Sequence, residues 1–548
     1  MHYRQAALPI LLVVDCLFHP GMTAVKGLLP SLPSPKRHEG YRPVADVENL
    51  SNPHEIGSFQ LQALPTKGKD AEIVEGPLSN GRRILDLAIP TLGALLIDPL
   101  LTLADTAFVG RFSESPNELA GMGSAAALLT FSFYLFNFLC TATTPLISSK
   151  RASGKEAEAL AVGGQALSLA FALGSMLLVV LLAARQPLLD IMGTGMSGPE
   201  ANAYALDFLT VRAFAAPAVF CISASTGILR GYLDTKTPIV ILALANVVNL
   251  ALDIALIAYA RMGPQGAAIA TTTAEWISAL LFLAVLSGKL PSADGQLGKK
   301  EDDESTLAVM PALAIPPWEE MKPLVVASSS LFLRTFVLQF SISAAAAFAA
   351  RGGETLPGGA ASSISAHQIG LQLWLLCSFI ADALAAASQA LVADAIGRKD
   401  KDDVREVSKT VFVYSGILGL ILATALQIGY STDFLLGLFT SDAGTQAALS
   451  EILALIILAQ PLNSLVFAAD GILQGAEEFE FQAKSMALSG ATTAIFFYSM
   501  QTFGSTDTLV NVWTALIVLQ LMRGITSAVK ILEKDGPINL LPSSDSSR

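Results

Sequence analysis

From residue 84 onward the chain alternates long apolar runs with short polar breaks. The runs cover 84–109, 119–149, 157–183, 203–230, 237–260, 265–288, 321–350, 361–396, 407–430, 447–473, 482–503 and 508–531. Each reaches the roughly 20 residues that an α-helix needs to cross a hydrocarbon core, and several exceed it, which predicts tilt or protrusion into water. The pattern predicts an all-α polytopic membrane protein of twelve transmembrane helices. The widest break divides the runs six and six. It sets the expected organisation: a disordered tail with a candidate targeting sequence over 1–80, a first lobe over 81–288, an interlobe loop over 289–320, a second lobe over 321–532 and a short tail over 533–548.

Composition narrows the class without changing it. Of 548 residues 52% are hydrophobic and 15% charged, with mean hydropathy +0.55, too apolar for a soluble chain of this size. The net charge of −12 resides largely in the tail and loops, including Glu301, Asp302, Asp303 and Glu304, and points to no nucleic-acid partner. Of the four cysteines, Cys140, Cys221 and Cys377 fall in apolar runs. No disulfide framework or zinc spacing is present. Arg82, Arg83, Lys150, Arg151, Lys236, Arg398, Lys399, Lys401, Lys484 and Lys534 fall on one side of the alternation, so both termini are expected in the cytoplasm, or in the stroma of a plastid. The apolar stretch 6–18 follows Arg4 and precedes small residues, as a targeting segment does, but Asp15 interrupts it. A plastid envelope address and a plain tail on a plasma-membrane or vacuolar protein both remain open.

The two halves repeat each other. The second run and its loop, LFNFLCTATTPLISSKRASGKEAE, correspond to WLLCSFIADALAAASQALVADAIGRKDKDD in the eighth. The fourth run ends STGILRGYLDTKTP and the tenth ADGILQGAEEFEFQ. A shared G-I-L-x-G six runs apart implies a duplicated six-helix unit. An even number of crossings gives both copies one orientation, a parallel repeat with a binding cleft between the lobes.

Candidate chemistry lies in acids that the membrane makes expensive. The first run, ILDLAIPTLGALLIDPLLTLADTAFVG, carries Asp98 and Asp105 on one stripe of the helix, with Pro99 removing a backbone donor. An intramembrane carboxylate costs roughly 2.5–3.5 kcal/mol on insertion scales and usually serves ions or substrate. The alternative, simple pairing with a base on a neighbouring helix, stays open for each. On the fifth run Asn246, Asn249 and Asp253 share a face; on the sixth Thr271 and Glu275 stand one turn apart. A uniform helical rise brings Asp105, Asp253 and Thr271 to one level. Oxygen ligands at one depth suit Na⁺ or a proton shared between acids. Asn249 and Thr271 to Thr273 have a plainer reading as interhelical or backbone-bonded groups. Arg334 on the seventh run is a candidate partner for Glu275 or a contact in the substrate cavity.

The stretches DPLLTLADTAFVGRF, GILRGYLDTKTPIVILALANVVNLALD, GPQGAAIATTTAEW and SAHQIGLQLWLLCSFIADALAAASQALVA resemble the multidrug and toxic compound extrusion family, in particular its plant detoxification and bacterial DNA-damage-inducible F-like branches, over about residues 80–532. The resemblance implies an antiporter that exports a small organic substrate in exchange for H⁺ or Na⁺, with no other cofactor, acting as a monomer in the lipid bilayer. It implies cation ligands at Asp105, Asn249 and Asp253, with the helix-6 threonine at Thr271. Members that couple through the second lobe carry an acid on their seventh helix. This seventh run has none, which leaves Asp382 and Asp470 as secondary second-lobe candidates beside Asp98 and Glu275 in the first.

One other class stays in view. A flippase for lipid or lipid-linked precursors shares duplicated bundles but usually has more spans and a cationic cavity, whereas Arg212, Arg334 and Arg523 are the main bases within these runs. No nucleotide loop, metal spacing or nucleophile constellation supports an enzyme.

Overall fold

The computed structural model describes residues 77–112, 116–191, 198–292, 308–309, 318–349, 359–432, 434–503, 508–534 and 536–540. The expected targeting segment and most of the interlobe loop lie outside them. Among the described residues every regular element is helical: α1 Pro77–Phe112, α2 Pro116–Tyr134, α3 Phe138–Ala152, α4 Glu156–Ala183, α5 Arg185–Ile191, α6 Pro199–Ala213, α7 Ala216–Gly231, α8 Lys236–Asp253 with a π-helical turn Ile254–Tyr259, α9 Gly263–Leu286, α10 Trp318–Ala349, α11 Gly359–Gly397, α12 Lys401–Ser431, α13 Phe434–Phe439, α14 Ala443–Gly475, α15 Phe479–Phe503 and α16 Thr508–Ile531.

Each apolar run of the sequence is occupied by one helix or by two in tandem. Nine helices among the described residues are long and apolar enough to cross a membrane, ten when α6 and α7 are taken as one span bent by 48°. Large apolar side chains cover their outer faces, among them Val179 at 64%, Val247 at 66% and Leu458 at 78% exposure. So much outward apolar surface is untenable in water and natural against lipid.

The sequence pattern did not foresee two breaks. The second run is interrupted at residues 135–137, between α2 and α3, and the fourth at Phe214–Ala215, between α6 and α7. Pro217 at the start of α7 has no N–H to donate across the second break. By contrast α1 continues as helix through both Pro90 and Pro99.

The internal repeat is visible in how helices touch. Gly227 of α7 lies so close to α3 that a Cβ there would stand 2.7 Å from the Cys140 carbonyl oxygen. Gly471 of α14 lies equally close to α11, 2.3 Å from the Ala385 carbonyl oxygen. Gly174 against Pro217 and Gly419 against Pro461 form a second matched pair. The G-I-L-x-G motif thus exists because two backbones meet there, as small residues allow in membrane bundles.

The halves also exchange ends. Ile84, Leu87 and Ala88, from the start of α1, pack with Leu384, Leu391, Val407 and Ile472 of the second half, while Leu324, Ala327 and Leu331 of α10 pack into the core of the first. At the end of the bundle bearing the basic loops, α3 and α11 close the halves together. There Ser148 donates to the Ala390 carbonyl at 2.9 Å, Ser153 to the Gly397 carbonyl at 3.1 Å, and Gln389 to the Thr141 carbonyl at 2.6 Å. Arg151 pairs with Asp394 at 3.0 Å and also donates to the Tyr232 carbonyl at 3.1 Å.

Candidate functional site

Three helices bring the first-lobe candidates together. Asp105 near the end of α1, Asn249 and Asp253 on α8, and Thr271 on α9 are all buried, Asn249 and Asp253 completely. Asn249 donates through Nδ2 to Asp253 Oδ2 at 2.8 Å and to Asp105 Oδ1 at 3.4 Å. The Thr271 hydroxyl has two acceptors for its one proton, Asp105 Oδ2 at 3.1 Å and the Ala267 carbonyl at 2.9 Å. The carboxyls of Asp105 and Asp253 come within hydrogen-bonding reach of each other. Local sequence makes this approach possible: alanines at 267, 268, 270 and 274 keep the buried face of α9 thin.

Donors at this site do not satisfy its acceptors. Asp253 Oδ1 and Asn249 Oδ1 are buried with no hydrogen-bond partner. Leaving such oxygens dry and unpaired costs about 1–3 kcal/mol each. A proton on one carboxyl, or a Na⁺ drawing on the four side-chain oxygens, would answer them; the donor set of two carboxylates, an amide and a hydroxyl is the hard-oxygen kind that Na⁺ accepts. Directly after Asp253 the backbone widens into the π turn. Such turns are frequent at functional positions, and no periodicity in the sequence announces it.

The neighbouring candidates fall elsewhere. Asn246 turns back to its own helix, donating to the Leu242 carbonyl at 2.8 Å. The side chain of Asp98 lies outside the described ones. Glu275 pairs with Arg212 of α6 in a two-pronged contact, one prong at 2.9 Å. Of the two roles left open for Arg334, pairing with Glu275 is therefore not the one found. Arg334 instead reaches Asp470 of α14 at 2.5 Å, and Arg523 of α16 holds the same carboxylate. From there a buried chain runs through Gln520 and Asn463 to Ser378. With two guanidinium groups on it, Asp470 has no unpaired charge for a coupling cation to cancel. Asp382 is half-buried on α11 and makes no ion pair among the described residues, although Arg230 and Arg334 are within electrostatic reach.

Aromatic rings line the seam between the halves. Phe332 of α10 meets Phe136 and Phe138, each at 6.1 Å between centroids, and continues through Phe336 to Phe340 in a stacked ladder. Their helical spacing of four is plain in the sequence, but their contact with the break after α2 is not.

The chain as a whole has counterparts among known proteins. The MatE family model matches residues 90–255 and 356–498, one block in each half. The chain belongs to the MatE family. Among MatE relatives, protein DETOXIFICATION 44, chloroplastic, from Arabidopsis thaliana is 29% identical over 473 residues, covering 84% of each chain. The DNA damage-inducible protein F of Escherichia coli is 26% identical over 454 residues, covering 82% of this chain and 92% of its own. Among solved structures, a MOP superfamily transporter from Pyrococcus furiosus, whose reported binding pocket has reverse polarity, superposes with TM-score 0.70 at 18% identity over 82% of this chain and 94% of its own. A multidrug resistance MATE transporter in an outward-facing conformation superposes with TM-score 0.68 at 18% identity over 82% and 94%. The MatE assignment fixes this chain as a multi-pass membrane transporter of the multidrug and toxin efflux family.

Proposed function

We propose that the chain is an antiporter that exports a small organic compound in exchange for H⁺ or Na⁺ bound at Asp105, Asn249, Asp253 and Thr271. The observation that carries this reading is the pair of buried, closely placed carboxylates with an unpartnered oxygen. Two unit negative charges about 4 Å apart repel by about 4 kcal/mol at an effective dielectric of about 20. A bound cation removes that repulsion. Its arrival and departure therefore bias how α1, α8 and α9 pack, and a bias between two arrangements of a lobe is what couples an ion to a substrate. Asp105 supplies carboxylate oxygens to the cation, Asp253 the second charge, and Asn249 orients both acids through its amide.

The names of several relatives support a plastid address: DETOXIFICATION 44 and DETOXIFICATION 45 of Arabidopsis thaliana are both called chloroplastic. We place the protein in the plastid envelope on that support, with its termini in the stroma. The deciding experiment uses purified protein in liposomes under an imposed H⁺ or Na⁺ gradient, with efflux of the organic cation ethidium and of the organic anion fluorescein as readouts. Gradient-driven flux lost in Asp105→Asn and Asp253→Asn supports the reading. Wild-type flux in both variants, with loss in Asp382→Asn, moves the coupling to the second half; movement of a fluorescent lipid in place of either dye makes the chain a flippase.

A further inference from the structure

Arg212 is a full positive charge placed beside a site built for cations. Its guanidinium donates to the Thr272 hydroxyl at 3.4 Å, and the adjoining Thr271 is one of the two residues that donate to Asp105. The guanidinium also lies over the Phe133 ring at 6.0 Å and within electrostatic reach of Asp105. Its carboxylate partner is Glu275, which takes it in a two-pronged contact one turn farther along α9. Trp276 fixes that turn of α9 by donating from Nε1 to the Phe214 carbonyl, at 3.0 Å, in the break between α6 and α7.

We infer that Glu275 is a positioning residue whose carboxylate holds the Arg212 guanidinium outside the cation site, so that Arg212 does not act as a tethered competitor for the coupling ion. Among the described side chains the charged groups facing one another here are Asp105 on α1, Asp253 on α8, Glu275 on α9 and Arg212 on α6. With Glu275 ionised, the Arg212 charge is matched and the two aspartates keep their demand for a cation. With Glu275 neutral, the guanidinium loses that counter-charge and is drawn toward Asp105, as a fork of donors is toward a nearby carboxylate. This inference rests on the proposed cation site and goes beyond it by assigning a role to a pair outside its ligands.

The test needs no knowledge of the exported compound. Hydrogen–deuterium exchange of peptides carrying Asp105 and Asp253 is followed in the full-length protein in lipid nanodiscs, as Na⁺ is raised at fixed pH and as pH is lowered without Na⁺. Removing a neighbouring charge pair's balance in a low-dielectric site is expected to raise the cation midpoint of Glu275→Gln by about tenfold or more. Glu275→Asp retains the charge and should stay near the wild type. Arg212→Gln leaves Glu275 unmatched, adds negative charge beside the site and should lower the midpoint. The double variant Arg212→Gln/Glu275→Gln should return toward the wild type. An unchanged midpoint in Glu275→Gln, a double variant as impaired as Glu275→Gln alone, or a raised midpoint in Arg212→Gln would each overturn the inference, and the last can be read even when Glu275→Gln does not fold. No cation response in the wild type would overturn the proposed cation site instead.

Discussion

Replacing Asp394 with Asn should shift the protein toward a state whose halves separate at the basic-loop end. Asp394 is 9% exposed in its side chain and touches two arginines at 3.0 Å, Arg151 from α3 and Arg398, four residues on and just past the end of α11. Only the first contact differs between joined and separated halves, so only it biases the equilibrium. Arg398, 38% exposed, stays with Asp394 in both states and drops out. A hydrogen bond to a charged group contributes about 1.5–3 kcal/mol, and Asn retains a neutral acceptor of about half that strength. The expected loss is about 0.75–1.5 kcal/mol, which is roughly a four- to twelvefold change in the ratio of the two states. The assay is pulsed electron–electron resonance between spin labels on cysteines introduced at Ala157 and Lys401, both exposed and one in each half; the buried Cys140, Cys221 and Cys377 remain inaccessible to the label. The longer-distance population should grow in Asp394→Asn and in Arg151→Gln by similar amounts, with no further growth in the double variant. An unchanged distance distribution, or an equal shift in Arg398→Gln, would refute the reasoning.

Three further outcomes are expected. Gly227→Val and Gly471→Val should each lower thermal stability by about 1–3 kcal/mol through overpacking of α7 on α3 and α14 on α11, whereas Gly416→Val, with open space around it, should not, as differential scanning fluorimetry would show. Asp470→Asn leaves Arg334 and Arg523 without a shared counter-charge and should destabilise by about 3–5 kcal/mol; adding Arg523→Gln should recover part of the melting temperature, and failure to recover would mean that the carboxylate is not needed as a counter-charge. A fluorescent protein fused behind residues 1–80 should enter plastids, and a diffuse cytosolic signal would remove the plastid address.

How much of this was written in the sequence differs from feature to feature. The helical membrane fold was legible because lipid permits few backbone arrangements and requires apolar side chains outside; the positions of the helices followed from run length alone. The duplication was legible at G-I-L-x-G because a close backbone approach tolerates only glycine, and the structure shows Gly227 and Gly471 making that approach. In the candidate site Asp105, Asp253 and Thr271 were legible as polar groups that the membrane penalises and that helical rise brings to one depth, Asn249 as a neighbour on the face of Asp253, and the resemblance named the four together.

Pairing was not legible, because spacing along a helix gives depth and face but not which neighbour stands opposite. The sequence left Arg334 open as a partner for Glu275, yet tertiary packing gave Glu275 to Arg212 and Arg334 to Asp470. The breaks at 135–137 and at Phe214–Ala215 and the π turn after Asp253 were also decided only by packing. An apolar run reads the same whether its helix is straight or interrupted, since what stabilises an interruption is the side chains and carbonyls of other helices. The interlobe pair Arg151 and Asp394 was hidden for the same reason: each sits in a loop-proximal cluster of mixed charge, and only the folded chain determines which charges lose their water and must find one another.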